Sequence, residues 1–394
     1  MKESLFNYRF EYENQKYIFN TNNNVLIQIN NDIFTEEERE YLRVNRFWVD
    51  DNEDEIALLE REINHNIQKR QKELELTIAL TNYCNFSCVY CYQNKNEKLM
   101  TTEVANMIIE KIDRILNDNI FEGINIHYFG GEPLLNIPVL IYLDENIKKI
   151  TDKIGIVYKA FLTTNGSMLS KELLQKVKFS SIQLTFDGLE KTHDRLRVSD
   201  HFHFKEEIEL IENIMNFSQA KVLLRTNICK ENKDEIIALH KYIFEKFGNE
   251  RIEINPNRTI KYHQDDSFEM LSVQEYAEVA YQIKLLWSEQ KGKFELPVPR
   301  STPCKFPYGN AYAISPEGYC TFCSGSMDQE KKYFFDVDIE NKKMFSVRKE
   351  CKKCNILPLC LGGCIIQYNL RAGACTYEKY ELKNILISYI KHIS

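Results

Sequence analysis

No apolar run in the 394-residue chain approaches the ~18 residues that a membrane span needs, so a transmembrane helix is excluded by length. Basic residues are not in excess either. Lys and Arg number 51 against 58 Asp and Glu, which leaves a formal net charge of −7 and no basic stripe to support nucleic-acid binding. The start, Met1 to Asn14, lacks the apolar core of a secretion signal. A bias toward disorder is missing too, with 43% hydrophobic and 28% charged residues. These absences predict a soluble, cytoplasmic protein that binds neither membrane nor nucleic acid. The length predicts about two or three folding units.

What the chain does have is twelve cysteines. Disulfides are disfavoured in a reducing compartment, so such cysteines point to metal binding or chemistry. Three lie at Cys84, Cys88 and Cys91, eight lie between Cys304 and Cys375, and Cys229 stands alone as a small buried residue. The first three form a Cys-x3-Cys-x2-Cys run directly after an apolar, strand-like stretch. Three thiolates on one loop can hold three irons of a cubane [4Fe–4S] cluster and leave the fourth open for chemistry. A zinc knuckle or three incidental thiols are the plainer alternatives.

Residues 1–72 read as a small α+β unit. Tyr8–Tyr12, Lys16–Phe19 and Val25–Ile29 are strand candidates, and Asn22 to Asn24 turn the last pair. Thr35 with Glu38 forms a capping box, and Glu55 to Lys72 carries apolar residues at helical spacing. From residue 73 to about 290 the rhythm is strand, loop, helix. Strands are expected at Leu74–Leu80, Ile124–Phe129, Ile156–Thr163, Ile182–Phe186, Val222–Thr226 and Ile252–Ile254. Helices are expected at Glu103–Leu116, Pro138–Ile150, Leu169–Val177, Phe204–Met215, Asp234–Phe247 and Val273–Trp287. Such alternation predicts an α/β fold with parallel strands, either an open doubly wound sheet or part of a barrel. In both, chemistry gathers at the C-terminal strand ends. The cysteine loop follows the first of these strands. Residues 291–394 read as short strands, turns and cysteines with little apolar content, a unit that needs metal to hold it together.

Further motifs sit at the same strand ends. Gly130-Gly131-Glu132-Pro133 follows the second strand, Thr163-Thr164-Asn165-Gly166 ends the third, and Thr185-Phe186-Asp187-Gly188 ends the fourth, with Arg197 beyond it. Arg225 lies on the fifth, where an ordinary surface pair explains it equally well. In the C-terminal region Cys304, Gly318 and Cys323 precede Cys351-x2-Cys354-x5-Cys360-x3-Cys364 and then Cys375. Zinc is the physical alternative to iron there, since Cys-x2-Cys pairs also suit tetrahedral thiolate sites.

With Tyr90 before its last cysteine, the Cys84–Cys91 run resembles the hallmark of radical S-adenosylmethionine (SAM) enzymes. The C-terminal pattern is similar to that of a SPASM domain, an appendage with two auxiliary [4Fe–4S] clusters. The resemblance implies a partial (β/α)6 TIM-like barrel over 73–290, with a small α+β unit at 1–72 and a cysteine-rich SPASM domain at 291–394. It implies SAM chelated at the open iron, three [4Fe–4S] clusters in all, and an electron donor such as flavodoxin or ferredoxin. Candidate SAM contacts by that resemblance are Tyr90, Gly130, Gly131, Glu132, Pro133, Thr163, Asn165, Thr185 and Arg197, with Arg225 beside them. The first auxiliary cluster would take Cys304, Cys323 and Cys364. Cys320 is either its missing ligand or a spare thiol. The second would take Cys351, Cys354, Cys360 and Cys375.

Members that mature sulfatases place an aspartate right after the cysteine matched here by Cys323, and this chain has Ser324. A β-rich unit before the barrel instead looks like maturases of ribosomally made precursor peptides, where it grips a leader segment; a packing cap over the barrel is the plainer role. The expected activity is therefore thioether or C–C crosslinking of a precursor peptide. The alternatives are oxidation of a protein side chain, as in sulfatase maturation, or a non-catalytic iron–sulfur or zinc scaffold. No catalytic acid or base is identified.

Overall fold

A computed structural model of the protein describes residues 1–29, 34–93, 96–248, 251–261, 267–321, 323–326, 332–337, 344–364 and 375–393, and every candidate site residue falls within them. The chain divides into two compact units, one of Met1–Lys69, Ser272–Cys304 and Lys343–Ser394, the other of Arg70–Leu271 and Lys305–Lys342.

The first unit opens with β1 (Lys2–Glu3) and an antiparallel meander of β2 (Asn7–Tyr12), β3 (Gln15–Asn20) and β4 (Val25–Ile29). Glu13 and Asn14 both take positive φ, the geometry of a two-residue hairpin turn whose twist matches its strands. At the next turn the Asn20 side chain accepts from the backbone N–H groups of Asn22 and Asn23, so the asparagine cluster turns the chain as expected. Then come α1 (Glu36–Val44), opened by the Thr35–Glu38 capping box, β5 (Trp48–Val49), paired with β1, and α2 (Glu55–Arg70).

Alternation along the meander decides its two faces. Ile18 and Ile29 face Leu42 and Phe47. Phe10, Tyr17 and Phe19 face Ile356, Leu359 and three residues of the C-terminal helix, Leu382, Leu386 and Ile390. Each fully buried side chain of this size contributes about 1.5–3 kcal/mol. That helix is a correction. Residues after Cys304 were expected to form strands and turns alone, yet a helix spans Glu378–Ile393. Its apolar residues repeat every four positions, a signal masked by the charged residues between them. The N-terminal strands thus share an apolar core with the chain's last helix.

The second unit holds six parallel strands in sequential order: β6 (Glu73–Ala79), β7 (Gly123–Phe129), β8 (Val157–Thr163), β9 (Phe179–Thr185), β10 (Lys221–Ile228) and β11 (Ile252–Arg258). Between them run α3 (Thr102–Asp118), α4 (Ile137–Ile154), α5 (Lys171–Lys176), α6 (Glu190–Leu196), α7 (Phe204–Phe217) and α8 (Ile236–Phe247). A doubly wound sheet reverses strand order at a switch point, and this order never reverses, so the barrel alternative holds. After α9 (Val273–Lys291) and α10 (Lys305–Tyr308), β12 (Ala311–Ile314) adds in parallel beside β6. Antiparallel β13 (Tyr319–Thr321) and β14 (Lys332–Tyr333) bring the sheet to nine strands among the described residues. The sequence reading ends the barrel sheet at six strands; the short run Ala311–Ile314 is too brief to show from periodicity that it extends the same sheet. The chain closes with α11 (Leu357–Cys360) and the corrected helix, α12 (Glu378–Ile393). Among the described residues no helix is long and apolar enough to cross a membrane.

Candidate active site

Strand β6 delivers the cysteine loop at its C-terminal end. Ser87 N–H donates to the Val198 carbonyl (2.8 Å) and Val89 N–H to the Leu196 carbonyl (3.1 Å), so the loop is pinned on both sides of Arg197. Phe86 is buried beneath it, and the Arg197 guanidinium lies 5.5 Å from the Phe86 ring centre. Cys84, Cys88 and Cys91 lie within electrostatic reach of one another. Burial pushes the Cys88 thiol up to about 11, Arg197 pulls it back, and Cys91 and Cys84 push it further up. Cys84 Sγ accepts from Phe86 N–H (3.4 Å) and stands 3.9 Å from the Asn165 amide nitrogen. Asn165 also donates to Asn85 (2.8 Å), which ties the third strand end to the cysteine loop.

Gly130 and Gly131 are explained by backbone packing. Gly130 has φ +133°, and a Cβ added there would meet the Thr81 carbonyl oxygen at 2.3 Å. At Gly131 it would meet the Tyr83 carbonyl oxygen at 2.2 Å. Gly131 N–H donates to Thr81 and Glu132 N–H to Tyr83, so the two loops lock edge to edge. The Glu132 carboxylate is fully buried and already engaged. It accepts from Leu134 N–H (2.9 Å), Thr164 Oγ1 (2.7 Å) and Asn165 N–H (2.7 Å). Burial raises its carboxyl to about 6 despite those bonds. Pro133 begins a 3₁₀ turn leading into α4. In this arrangement Glu132 joins three strand-end loops, through its backbone N–H to Tyr83 and its carboxylate to Thr164 and Asn165.

The fourth strand end carries a buried charged knot. Tyr90 Oη donates to Asp187, Asp187 Oδ1 accepts from Asn227 N–H (2.7 Å), and an Arg197 nitrogen stands 3.4 Å from Tyr90 Oη. Burial opposes the charge on Arg197, but Tyr90, Cys88, Glu207 and Asp187 around it hold the guanidinium protonated. Its Nε is buried without a hydrogen-bond partner. Thr185 N–H donates to Glu207 (3.3 Å), whose other oxygen lies 3.2 Å from His193 Nε2. Arg225 donates to its neighbour Asn227 (2.9 Å) on the same strand.

Sequence reasoning missed several of these partners. His127 on β7 donates to or accepts from Thr163 Oγ1 (2.8 Å), and burial drives its imidazole down to about 4, so it is neutral near pH 7. Glu207, Asn227 and Asn232 position Asp187 or Thr185 from a second layer. None of them stands out in the sequence pattern. Cys229 is fully buried beside Leu196 and Phe268, as expected.

In the first unit Cys354 lies in electrostatic reach of Cys375 and Cys351, and Cys360 in reach of Cys354; burial is the larger cause that raises both thiols. The four cysteines expected at the second auxiliary cluster are thus linked pair by pair. Gly362 N–H points at Cys360 Sγ (3.4 Å). Cys304 and Cys364 are exposed. In the second unit Cys320 is buried on β13, and Cys323 Sγ accepts from Gly325 N–H (3.3 Å).

Residues 78–243 match the family model of the radical SAM superfamily. They form a radical SAM domain. Among curated proteins, the chain is 24% identical over 372 residues to the radical SAM cyclopropyl synthase TigE of Paramaledivibacter caminithermalis, covering 83% of this chain and 76% of that one. It is 34% identical over 119 residues to an uncharacterised protein of Methanocaldococcus jannaschii, covering 29% and 39%. It is 31% identical over 186 residues to a GTP 3′,8-cyclase of Helicobacter pylori, covering 45% and 53%. The chain therefore spans well under two thirds of the last two. Among solved structures, anSMEcpe with bound AdoMet and peptide aligns at TM-score 0.62 and 19% identity, over 82% of this chain and 98% of that one. Streptococcus suis SuiB bound to its precursor peptide SuiA aligns at 0.56 and 16%, over 93% and 96%. These likenesses show the partial-barrel fold.

The chain is an enzyme whose residues 78–243 form a radical SAM domain, and that domain implies SAM and a [4Fe–4S] cluster. The residues fit that pair. Three neighbouring thiols on a pinned loop suit three irons, and the partnerless Arg197 Nε beside Cys88 offers a buried donor to an anionic group.

Proposed function

We propose that this radical SAM enzyme is a maturase of a ribosomally made precursor peptide, in which it installs a thioether or C–C crosslink. Cys84, Cys88 and Cys91 would hold the SAM-binding cluster, with the backbone at Gly130–Gly131, the Thr163 to Asn165 segment, Thr185 and Arg197 around SAM. When bound, the cluster and SAM supply a 5′-deoxyadenosyl radical that abstracts hydrogen from the peptide.

The chain's own residues position and shield. The two loop–loop bonds at Ser87 and Val89 fix the cysteines, and the Glu132 carboxylate holds the second and third strand ends in register with them. Tyr90, Asp187 and Arg197 place a protonated, water-excluded guanidinium beside Cys88. The chain would carry two auxiliary [4Fe–4S] clusters, the first on Cys304, Cys323 and Cys364, with Cys320 as its remaining thiol, and the second on Cys351, Cys354, Cys360 and Cys375. These clusters would accept the second electron released in a crosslinking oxidation, the first leaving with the abstracted hydrogen atom, and flavodoxin or ferredoxin would supply the electron that cleaves SAM. The outer strands of the β2–β4 meander, which pair with no further strand among the described residues, would receive a leader segment by strand addition.

One observation carries the reading: similarity to a cyclopropyl synthase extends over 83% of the chain, far beyond the radical SAM domain itself. That relative's name describes carbon–carbon bond formation, and SuiB is seen with a precursor peptide. The test is anaerobic incubation of reconstituted enzyme with short peptides encoded beside its gene. Loss of two hydrogens from one peptide, mapped to a link between two residues, is expected. SAM cleavage with every peptide unchanged in mass and in deuterium uptake would overturn it.

A further inference from the structure

Asn165 closes the third strand end against the cysteine loop, and its carboxamide is held in one orientation. Its Oδ1 accepts from Ser167 N–H (3.0 Å) and from Ser167 Oγ (2.7 Å). A backbone N–H can only donate, so the atom facing Ser167 is the oxygen. The amide nitrogen therefore points the other way, toward the loop. There it donates to Asn85 Oδ1 (2.8 Å), and Asn85 Nδ2 donates in turn to Ser167 Oγ (2.9 Å). The three side chains form a closed ring in which every bond runs in the same direction.

An amide nitrogen carries two hydrogens, and the ring uses one. The same nitrogen stands 3.9 Å from Cys84 Sγ, on which Phe86 N–H converges from the backbone (3.4 Å). Asn165 is 7% exposed, so water has little access to that contact. Its own backbone N–H donates to Glu132 Oε2 (2.7 Å), which fixes the residue from behind. Hydrogen bonds to the ligating sulfurs help to set the potential of an iron–sulfur cluster. A thiolate ligand carries more charge when its cluster is reduced, so a donor aimed at it favours the reduced form.

We propose that Asn165 is a positioning residue for reduction of the SAM-binding cluster: its second amide hydrogen is held on the Cys84 thiolate by Asn85 and Ser167 and raises the cluster's potential. This role rests on the proposed assignment of Cys84, Cys88 and Cys91 to that cluster. It gives the Asn165 side chain a task distinct from contact with SAM.

An EPR-monitored redox titration of the full-length reconstituted enzyme, run without SAM, tests the role. Omitting SAM means that loss of a SAM contact cannot move the result. The signal followed is the one missing from Cys88→Ala. Asn165→Leu fills the same space with neither donor nor charge, and also breaks the tie to Asn85. Asn85→Ala breaks the same tie but leaves the Asn165 amide oriented by Ser167. At the wild-type midpoint Asn165→Leu should be about threefold to tenfold less reduced, the upper figure being about 59 mV for a one-electron couple. Asn85→Ala should keep the wild-type midpoint, and iron content should be unchanged in both. Should Asn165→Leu lose its cluster, the smaller Asn165→Ala decides by the same shift. An unmoved midpoint in the Asn165 variants, with SAM binding weakened or not, would overturn the role. An equal shift in Asn85→Ala would overturn it too, because the loop tie would then be the cause. A Cys88→Ala variant that loses no signal removes the cluster assignment and the role with it; a signal that is present and unmoved removes the role alone.

Discussion

The cysteine loop at 84–91 and the cysteine turns at 351–364 solve one problem in opposite ways. The first loop borrows its shape from the barrel. Its backbone bonds reach more than a hundred residues along the chain, to Leu196 and Val198, and its buried Phe86 sits under a guanidinium. The second set closes on itself: Cys351 N–H donates to Arg348, Cys354 N–H to Cys351, Leu357 N–H to Cys354 and Gly363 N–H to Cys360. Its long-range ties are Asn355, bonded to Thr21 and Asn7, and the buried Ile356, Leu357 and Leu359. A site preformed by its fold can afford an open coordination position. A site made of local turns draws stability from its metal.

Removing one cysteine from each region breaks the comparison most sharply. Cys88→Ala should reduce deoxyadenosine formation to background and iron by about four per chain, while the melting temperature changes by less than about 2 °C. Cys354→Ala should do the reverse, costing several kcal/mol in the first unit, read as an early unfolding transition or poor solubility. Equal thermal losses in both variants would erase the distinction.

Next in size is Arg197→Ala, which leaves Asp187 buried and uncompensated. It should destabilise by about 3–5 kcal/mol in denaturant titrations and weaken SAM binding at unchanged iron content. Glu132 gives a pH signature. Its carboxyl ordinarily titrates near 4.5 and lies at about 6 in the fold, so between those values the folded state holds a proton that the unfolded chain has released. Stability from this group therefore falls as pH rises from 4.5 to 6, by about 2 kcal/mol in total, and Glu132→Gln should flatten that difference. The smallest effect is expected at Cys229→Ala, about 1 kcal/mol with iron content unchanged.

The barrel and its strand-end motifs were legible because parallel strands are apolar and their loops carry glycine, threonine and cysteine in a set order. All six barrel strands match their sequence expectation within three or four residues at either end. The roles inside the site were less legible. Glu132 looks in sequence like a free carboxylate for a cation, and only burial shows that Thr164, Leu134 and Asn165 already occupy it. His127 and Glu207 gave no signal, because a polar residue facing inward has the same periodicity as one facing water. The helix at Glu378–Ile393 escaped notice because its apolar stripe is narrow and cysteines dominate the preceding segment.

Anaerobically reconstituted wild-type enzyme, reduced with dithionite in the presence of SAM and compared with Cys88→Ala, measures the central claim directly. Formation of 5′-deoxyadenosine by the wild type and none by the variant is the predicted result. Protein that carries zinc in place of iron, or a Cys88→Ala variant that still releases deoxyadenosine, would contradict it.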